Sequence, residues 1–342
     1  MNIRIDHSQN VDRDVWDTYV LAHPDADHYH LSGWGRIIEM VYRYEALYIS
    51  AWNGPAIVGV LPIIVMGSAF TRKSLVSMPF LDYGGICADN PETVQILYKA
   101  AQKEMIRRRG GLIDLRHRKE ISIPLENYSD KVSMILKMQN NSSEMWNKCG
   151  SKLRNQIRKA EKEQLQARWI DIEGLKDFYD VYTFNMRDLG SPPHSFGFFR
   201  QILAEFSDAQ ILLIQHGSKV IGGGLCLTFR DTMLVPWASS LRPYFHLCPN
   251  NLLYWEAIHT ACDKGLVHFD FGRSSRESGT YQFKKQWGAA EEALHWQSNV
   301  SGGCLVDQSG NHALELVVKV WKTLPVNITR FIGPILRRRL SN

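Results

Sequence analysis

The sequence predicts an α+β protein made of two similar units in tandem. Length is the first reason, because 342 residues is about twice the ~100–200 of one ordinary domain. Composition is the second: 44% apolar and 22% charged residues suit a soluble globular chain and exclude a disordered, collagen-like or disulfide-framework protein. The third is order, since helices, an antiparallel hairpin, a helix and a strand follow one another twice. Each unit is expected to hold a mixed, mainly antiparallel sheet flanked by helices.

In the first half, apolar residues from Val11 to about Tyr48 fall at helical spacing, broken at His23-Pro24-Asp25 and restarting near Ser32-Gly33-Trp34. Two helices follow. Ala46–Trp52 and Ala56–Ile64 are strands joined by Asn53-Gly54, a dipeptide suited to the positive φ angles of a two-residue turn. Leu75–Phe80 and Gly84–Cys87 read as short, irregular strands. Pro91–Arg109 reads as an amphipathic helix stopped by Gly110-Gly111, and Leu112–Leu115 as a strand.

The second half is expected to run as a helix over Ser143–Gln164, a strand over Ala167–Ile170, and helices over Gly174–Leu189 and Ser195–Ser207. Strands Ile211–Gln215, Val220–Phe229 and Thr232–Ser240 come next, then a helix Asn251–Lys264 and a strand Val267–Phe271. Gly222-Gly223-Gly224 lies within a hairpin and leads into a strand, so it fits a bulge or close backbone approach and fails both phosphate-loop motifs. The polar stretch Glu126–Ser142 is the expected boundary. The expected domains are 1–126 and 127–300, followed by a basic amphipathic tail, 301–342.

Charge is uneven along the chain. Residues 313–342 carry six bases against Glu315, whereas the remaining 312 residues balance at 34 of each sign. Affinity for polyanions must therefore come from local patches. No uninterrupted apolar run is long enough to span a bilayer, and the charged first residues contain no apolar leader core. The six cysteines are scattered without a CxxC, which suits reduced thiols and a cytoplasmic setting. His28 with His30, or His246 with Cys248, completes no four-ligand metal set, and no metal or other cofactor is expected. Trp16, Trp34, Trp146 and Trp169 read as core residues.

Two segments carry candidate chemistry. In Ser151–Lys162, Arg154, Arg158 and Lys162 lie four apart, so three like charges share one helical face and invite an anionic partner such as a phosphate. The alternative is a solvated face eased by Glu161 and Glu163. The segment Phe269–Gly288 runs from an apolar strand into a loop crowded with Arg273, Arg276, Tyr281 and Lys284. Lys284, between Phe283 and Trp287, would be partly desolvated, where an ammonium stabilises an oxyanion well. The alternative pairs Arg273 and Arg276 with Asp270 and Glu277.

Phe269-Asp270-Phe271-Gly272 followed by Phe283-Lys284-Lys285-Gln286-Trp287-Gly288 resembles the C-terminal signature of the Fem (FemABX) peptidyltransferases. The basic helix Ser151–Lys162 and Leu81-Asp82-Tyr83-Gly84-Gly85 also resemble motifs of FemAB-like proteins, with exosortase-linked polysaccharide members the nearest in pattern. The resemblance implies two tandem GNAT-type domains and acyl transfer to an amine from aminoacyl-tRNA. It implies that Lys284 faces the tetrahedral intermediate, that Asp114 orients the acceptor amine, and that Asp82 and Tyr83 touch substrate. Where GNAT enzymes hold coenzyme A on an RxxGxG turn, this chain reads Arg242–Asn251 with Pro249, and Asn250 is expected to cap the following helix beside Asn251.

The expected partners are therefore aminoacyl-tRNA or another acyl donor and a cell-wall or polysaccharide precursor. An acyl-CoA-dependent N-acyltransferase acting on an amino sugar, and a non-catalytic glycan-binding module, are the competing readings. The tail, apolar with Trp321 and Phe331 and ending in Arg337-Arg338-Arg339, reads either as an anchor to an anionic inner membrane or as a helix docked on the second domain.

Overall fold

The structure, a computed structural model, describes residues 3–9, 11–67, 72–300 and 312–340; Cys304 and the side chain of Leu314 lie outside what it describes. The strands are β1 Ile3–Ser8, β2 Glu45–Asn53, β3 Ala56–Met66, β4 Ser74–Val76, β5 Cys87–Ala88, β6 Leu112–His117, β7 Glu126–Asn127, β8 Lys131–Lys137, β9 Leu165–Ile170, β10 Gln210–His216, β11 Lys219–Phe229, β12 Thr232–Ser240, β13 His268–Ser275, β14 Ala290–Ala293 and β15 His295–Ser298. The helices are α1 Arg13–Ala22, α2 Gly33–Tyr42, α3 Pro91–Arg107, α4 Ser142–Lys148, α5 Ser151–Lys162, α6 Leu175–Leu189, α7 Phe196–Glu205, α8 Pro249–Asp263, α9 Gly279–Lys285, α10 His312–Thr323 and α11 Val326–Arg337.

The chain forms two compact units, one of Met1–Lys131, Ala293–Ser309 and Leu340–Asn342, the other of Val132–Glu292 and Gly310–Arg339. In the first, the sheet order is β1-β2-β3-β4-β6-β15-β7, with β5 also on β3. The β2–β3 hairpin turns at Gly54, whose φ of 60° suits glycine. Asn90 caps α3 by accepting from the Thr93 amide, and Pro91 occupies its first turn. The helix buries Leu97, Tyr98 and Ala101 against Leu47, Leu61 and Ile113.

The second unit has the sheet order β14-β8-β13-β12-β11-β10-β9. Its core joins Leu212 and Ile214 of β10 to Leu253, Ala257 and Ile258 of α8 and to Phe269 and Phe271 of β13. The repeat read from element order is visible in the ladders. In one unit β4 and β6 pair in parallel across α3, and in the other β12 and β13 pair in parallel across α8. The glycine triplet lies in β11, where a Cβ on Gly223 would sit 3.1 Å from Leu213 and 3.2 Å from Phe178.

The structure differs from the sequence reading at several elements. The stretch expected to be a polar boundary contains β8, whose Val132, Met134 and Leu136 are buried. The expected helix Ser143–Gln164 is two helices, because Cys149 and Gly150 are both extended. Gly150 favours such a break, since glycine costs about 1 kcal/mol inside a helix. Residues 279–285, read as loop, form α9, capped by Ser278 accepting from the Tyr281 amide. Finally β15, expected in the second domain, lies in the first unit's sheet, paired antiparallel with β6 from His295↔His117 to Ser298↔Asp114.

In the first unit Gly85 packs where a Cβ would fall 2.2 Å from the ring of His117. Burial pushes His117 down to about 3 and lowers His30, whose Nε2 faces the Gly85 carbonyl at 3.1 Å. Both imidazoles thus stay neutral where the unfolded chain, titrating near 6.5, takes up protons. Stability should therefore be complete above about pH 6.5 and fall towards pH 3, by up to about 1.4 kcal/mol per pH unit for His117. Urea midpoints measured across this range should show that slope, and His117→Gln should flatten it; an unchanged slope contradicts the assignment.

Candidate active site

In the second unit the β12–β13 ladder runs from Thr232↔His268 to Leu234↔Asp270 and stops, although β12 continues to Ser240 and β13 to Ser275. Two strand arms therefore carry polar groups beyond the last paired residues. On the β12 arm, the Ser240 hydroxyl donates to Asn250 Oδ1 at 2.6 Å, and Asn185 donates to Ser239 Oγ at 3.0 Å. The α8 helix opens at Cys248 in a left-handed conformation with Pro249 in its first turn.

This corrects the reading of Asn250. It lies inside the helix and spends its side-chain oxygen on Ser240, so it does not cap α8, which has no side-chain cap. Asn251 is buried and donates to Gln156 Oε1 of α5 at 3.3 Å. That contact sets the basic α5 beside the first turn of α8.

On the β13 arm, the Asp270 carboxylate accepts the Gly272 amide at 2.7 Å and the Ser133 hydroxyl at 3.1 Å. Gly272 adopts φ 73°, a conformation few side chains tolerate. The bend turns two carbonyls onto Lys284. Its Nζ, on a side chain only 8% exposed, donates to Gly272 O and Arg273 O, each at 2.9 Å. The Asp-Phe-Gly and Phe-Lys parts of the signature are thus two halves of one clamp. Rings of Phe271, Tyr254, Phe283 and Trp287 pack together alongside it.

The remaining predicted residues separate. Arg276 and Tyr281 both turn to Glu291, at 3.4 and 2.9 Å, so neither Asp270 nor Glu277 pairs with Arg276 as the alternative supposed. Their two contacts pull Glu291 below the usual carboxylate range, the Tyr281 hydrogen bond foremost. Arg273 supplies its backbone carbonyl to Lys284. On α5, Leu153, Ile157 and Ala160 face the core. Arg158 lies over the Trp146 ring at 5.4 Å, and the Arg154 Nε is shielded without a hydrogen-bond partner. Among the described residues neither arginine forms an ion pair with an acid. Sequence reasoning missed Ser133, which carries no motif signal, and gave no role to Ser274, whose buried hydroxyl is unpartnered among the described residues.

The first-unit residues are corrected more sharply. Asp114 has no exposed surface and both oxygens are occupied, Oδ1 by the Tyr128 hydroxyl at 2.7 Å and Oδ2 by Arg116 at 3.4 Å. Arg116 is equally buried and lies over the Trp296 ring at 4.3 Å. A carboxylate so enclosed is the counter-ion of Arg116 and offers no open oxygen to an acceptor amine. Tyr83 is likewise buried, packed on Tyr29 and beneath Arg118, and the Asp82 carbonyl accepts the Trp296 indole N–H. Trp16 and Trp34 are core, whereas Trp146 and Trp169 are half-buried.

Residues 147–285 match the family model described as an acetyltransferase (GNAT) domain. This segment is therefore similar to GNAT domains. It contains α5, the separated β12 and β13 arms and the Lys284 clamp. Among solved structures, FemX superimposes with a TM-score of 0.70 at 15% identity, covering 86% of this chain and 97% of that one. A tandem GNAT protein from the clavulanic acid biosynthesis pathway gives 0.54 at 10%, covering 87% and 97%. L-PGS from Bacillus licheniformis gives 0.53 at 11%, covering 92% and 98%. A search of curated proteins finds no significant match in sequence. These superpositions show that the chain has the fold of FemX and of tandem GNAT proteins.

Breaking a buried ion pair by removing one partner typically costs about 3–5 kcal/mol, because the other charge stays buried. Asp114→Asn should therefore lower unfolding free energy by about that much while any surviving folded protein keeps its transfer rate. A variant of native stability with abolished transfer would restore Asp114 to the chemistry.

Proposed function

We propose that this GNAT protein transfers an aminoacyl group from aminoacyl-tRNA to an amine on a cell-wall or exopolysaccharide precursor. The observation that carries the reading is the buried Lys284 ammonium, fixed by two carbonyls on the β13 arm where the ladder to β12 has ended. A GNAT fold positions a donor carbonyl and an amine, and Lys284 supplies the charge. The amine attacks the ester carbonyl, negative charge grows on its oxygen, and the ammonium compensates it. The tetrahedral intermediate then expels the ester oxygen, which takes up the proton the amine loses. No residue need act as nucleophile.

The donor assignment rests on two features of α8 and α5. Pro249 removes an amide donor from the first turn of α8, where a pyrophosphate of coenzyme A would need one. The Arg154–Arg158 face on α5, with no acid paired to it among the described residues, instead offers cations to a phosphate backbone beside that turn. The match to an acetyltransferase family favours coenzyme A as the alternative donor, with an amino sugar as acceptor.

Lys284→Met should fold, with a lowered melting temperature because two carbonyls lose their donor. It should lose about 100- to 1000-fold in transfer rate, the range seen when an oxyanion donor is removed. Charged tRNA should raise the melting temperature of the unaltered protein, whereas coenzyme A should not. Near-normal turnover of Lys284→Met removes the lysine from the mechanism, and stabilisation by coenzyme A alone selects the alternative donor.

A further inference from the structure

Helices α10 and α11 belong to the second unit, and one face of them meets the reading of a tail docked on the second domain. The inner face docks. Arg330 pairs with Asp180 at 2.7 Å, donates to the Thr183 hydroxyl at 2.9 Å and lies over the Tyr179 ring. A Cβ on Gly333 would fall 2.4 Å from the Pro193 ring, and one on Gly190 would fall 2.5 Å from Val318, so α11 and α10 both approach the end of α6 closely. Trp321, Val326 and Thr329 are buried along this face.

The outer face has no such cover among the described residues. Leu316, Val317 and Val320 form a stripe on α10, and Ile328, Phe331 and Ile335 form one on α11, all exposed, with Phe331 at 76%. Between Leu316 and Arg339 the sequence holds six bases and no acid. Arg330 makes the docking contact with Asp180, and Lys319, Lys322, Arg338 and Arg339 are exposed.

We propose that the outer face of α10 and α11 is a docking surface for an anionic lipid bilayer. Each helix has 12 residues, about 18 Å at 1.5 Å per residue, well short of the ~30 Å hydrocarbon core. They therefore lie in the headgroup region with the apolar stripes down, not across the membrane; no helix of the described residues is long and apolar enough to cross one. Charge decides against a second copy as the occupant. Self-association through this face would bring two copies of a stretch with no acid between Leu316 and Arg339 together, exposed Lys319 and Arg339 included, whereas anionic headgroups neutralise such cations.

The test is flotation of the full chain with phosphatidylcholine vesicles, alone or containing phosphatidylglycerol, at low and high salt. Binding should require phosphatidylglycerol and weaken with salt. Phe331→Glu with Ile335→Glu should reduce bound protein by about tenfold or more, as should Lys319→Glu with Arg339→Glu. Both pairs change exposed side chains and leave the Arg330–Asp180 contact in place, so melting temperatures should match the unaltered protein. Binding that ignores both pairs of substitutions, or no binding to either vesicle, overturns the proposal. So does a dimer in solution that Phe331→Glu dissociates without any vesicle binding. Partition is read without turnover, so the result stands apart from the fate of Lys284 in catalysis.

Discussion

The Lys284 ammonium is taken out of water and held by the carbonyl oxygens of Gly272 and Arg273, and the end of β13 is shaped around that demand. Burying an ammonium costs several kcal/mol unless dipoles or charges replace its hydration. Straight β-strand carbonyls point sideways to neighbouring strands. Gly272 bends away from that geometry with a positive φ, and Asp270 holds the bend by accepting its amide while also accepting from Ser133. Carbonyl dipoles stabilise an ammonium in its charged form, so the clamp holds Lys284 in a shielded place. That is the requirement for meeting a growing oxyanion.

The two units show how one topology supports different uses. Both place a helix between parallel neighbouring strands, and in both the second of those strands carries a buried acid. In β13, Asp270 shapes a turn that presents carbonyls to a lysine. In β6, Asp114 is closed off by Tyr128 and Arg116, with Trp296 of β15 stacked on the guanidinium. The first is open to a role in chemistry through its neighbour, and the second holds a core together.

Much of the architecture was legible because local rules agree with the fold. Asn53-Gly54 marks its hairpin, Pro91 and Gly110 bracket α3, and the order of elements repeats. What escaped was set by distance or by context. The pairing of β15 with β6 joins residues more than 170 apart in sequence, which no local pattern announces. β8 alternates apolar residues correctly, yet the Asn and Ser around it read as a linker. Gly279 hid α9, because the cap lies in the Ser278 hydroxyl rather than in helix propensity. At the site, residue types singled out Lys284, which the fold buries, whereas the cap expected of Asn250 and the open carboxylate expected of Asp114 are absent for a shared reason. An oxygen at a suggestive position can already be engaged by neighbours, Ser240 for one and Tyr128 with Arg116 for the other, and sequence does not show occupancy.

The most direct measurement is a crystal structure of the protein bound to a non-hydrolysable aminoacyl-adenosine in which an amide replaces the ester. The account predicts that the acyl carbonyl oxygen lies within hydrogen-bond reach, about 3 Å, of Lys284 Nζ, between the β12 and β13 arms. A donor held elsewhere, with the ammonium still enclosed by Gly272 and Arg273 and remote from the carbonyl, would contradict it and leave Lys284 as a strut of the β13 turn.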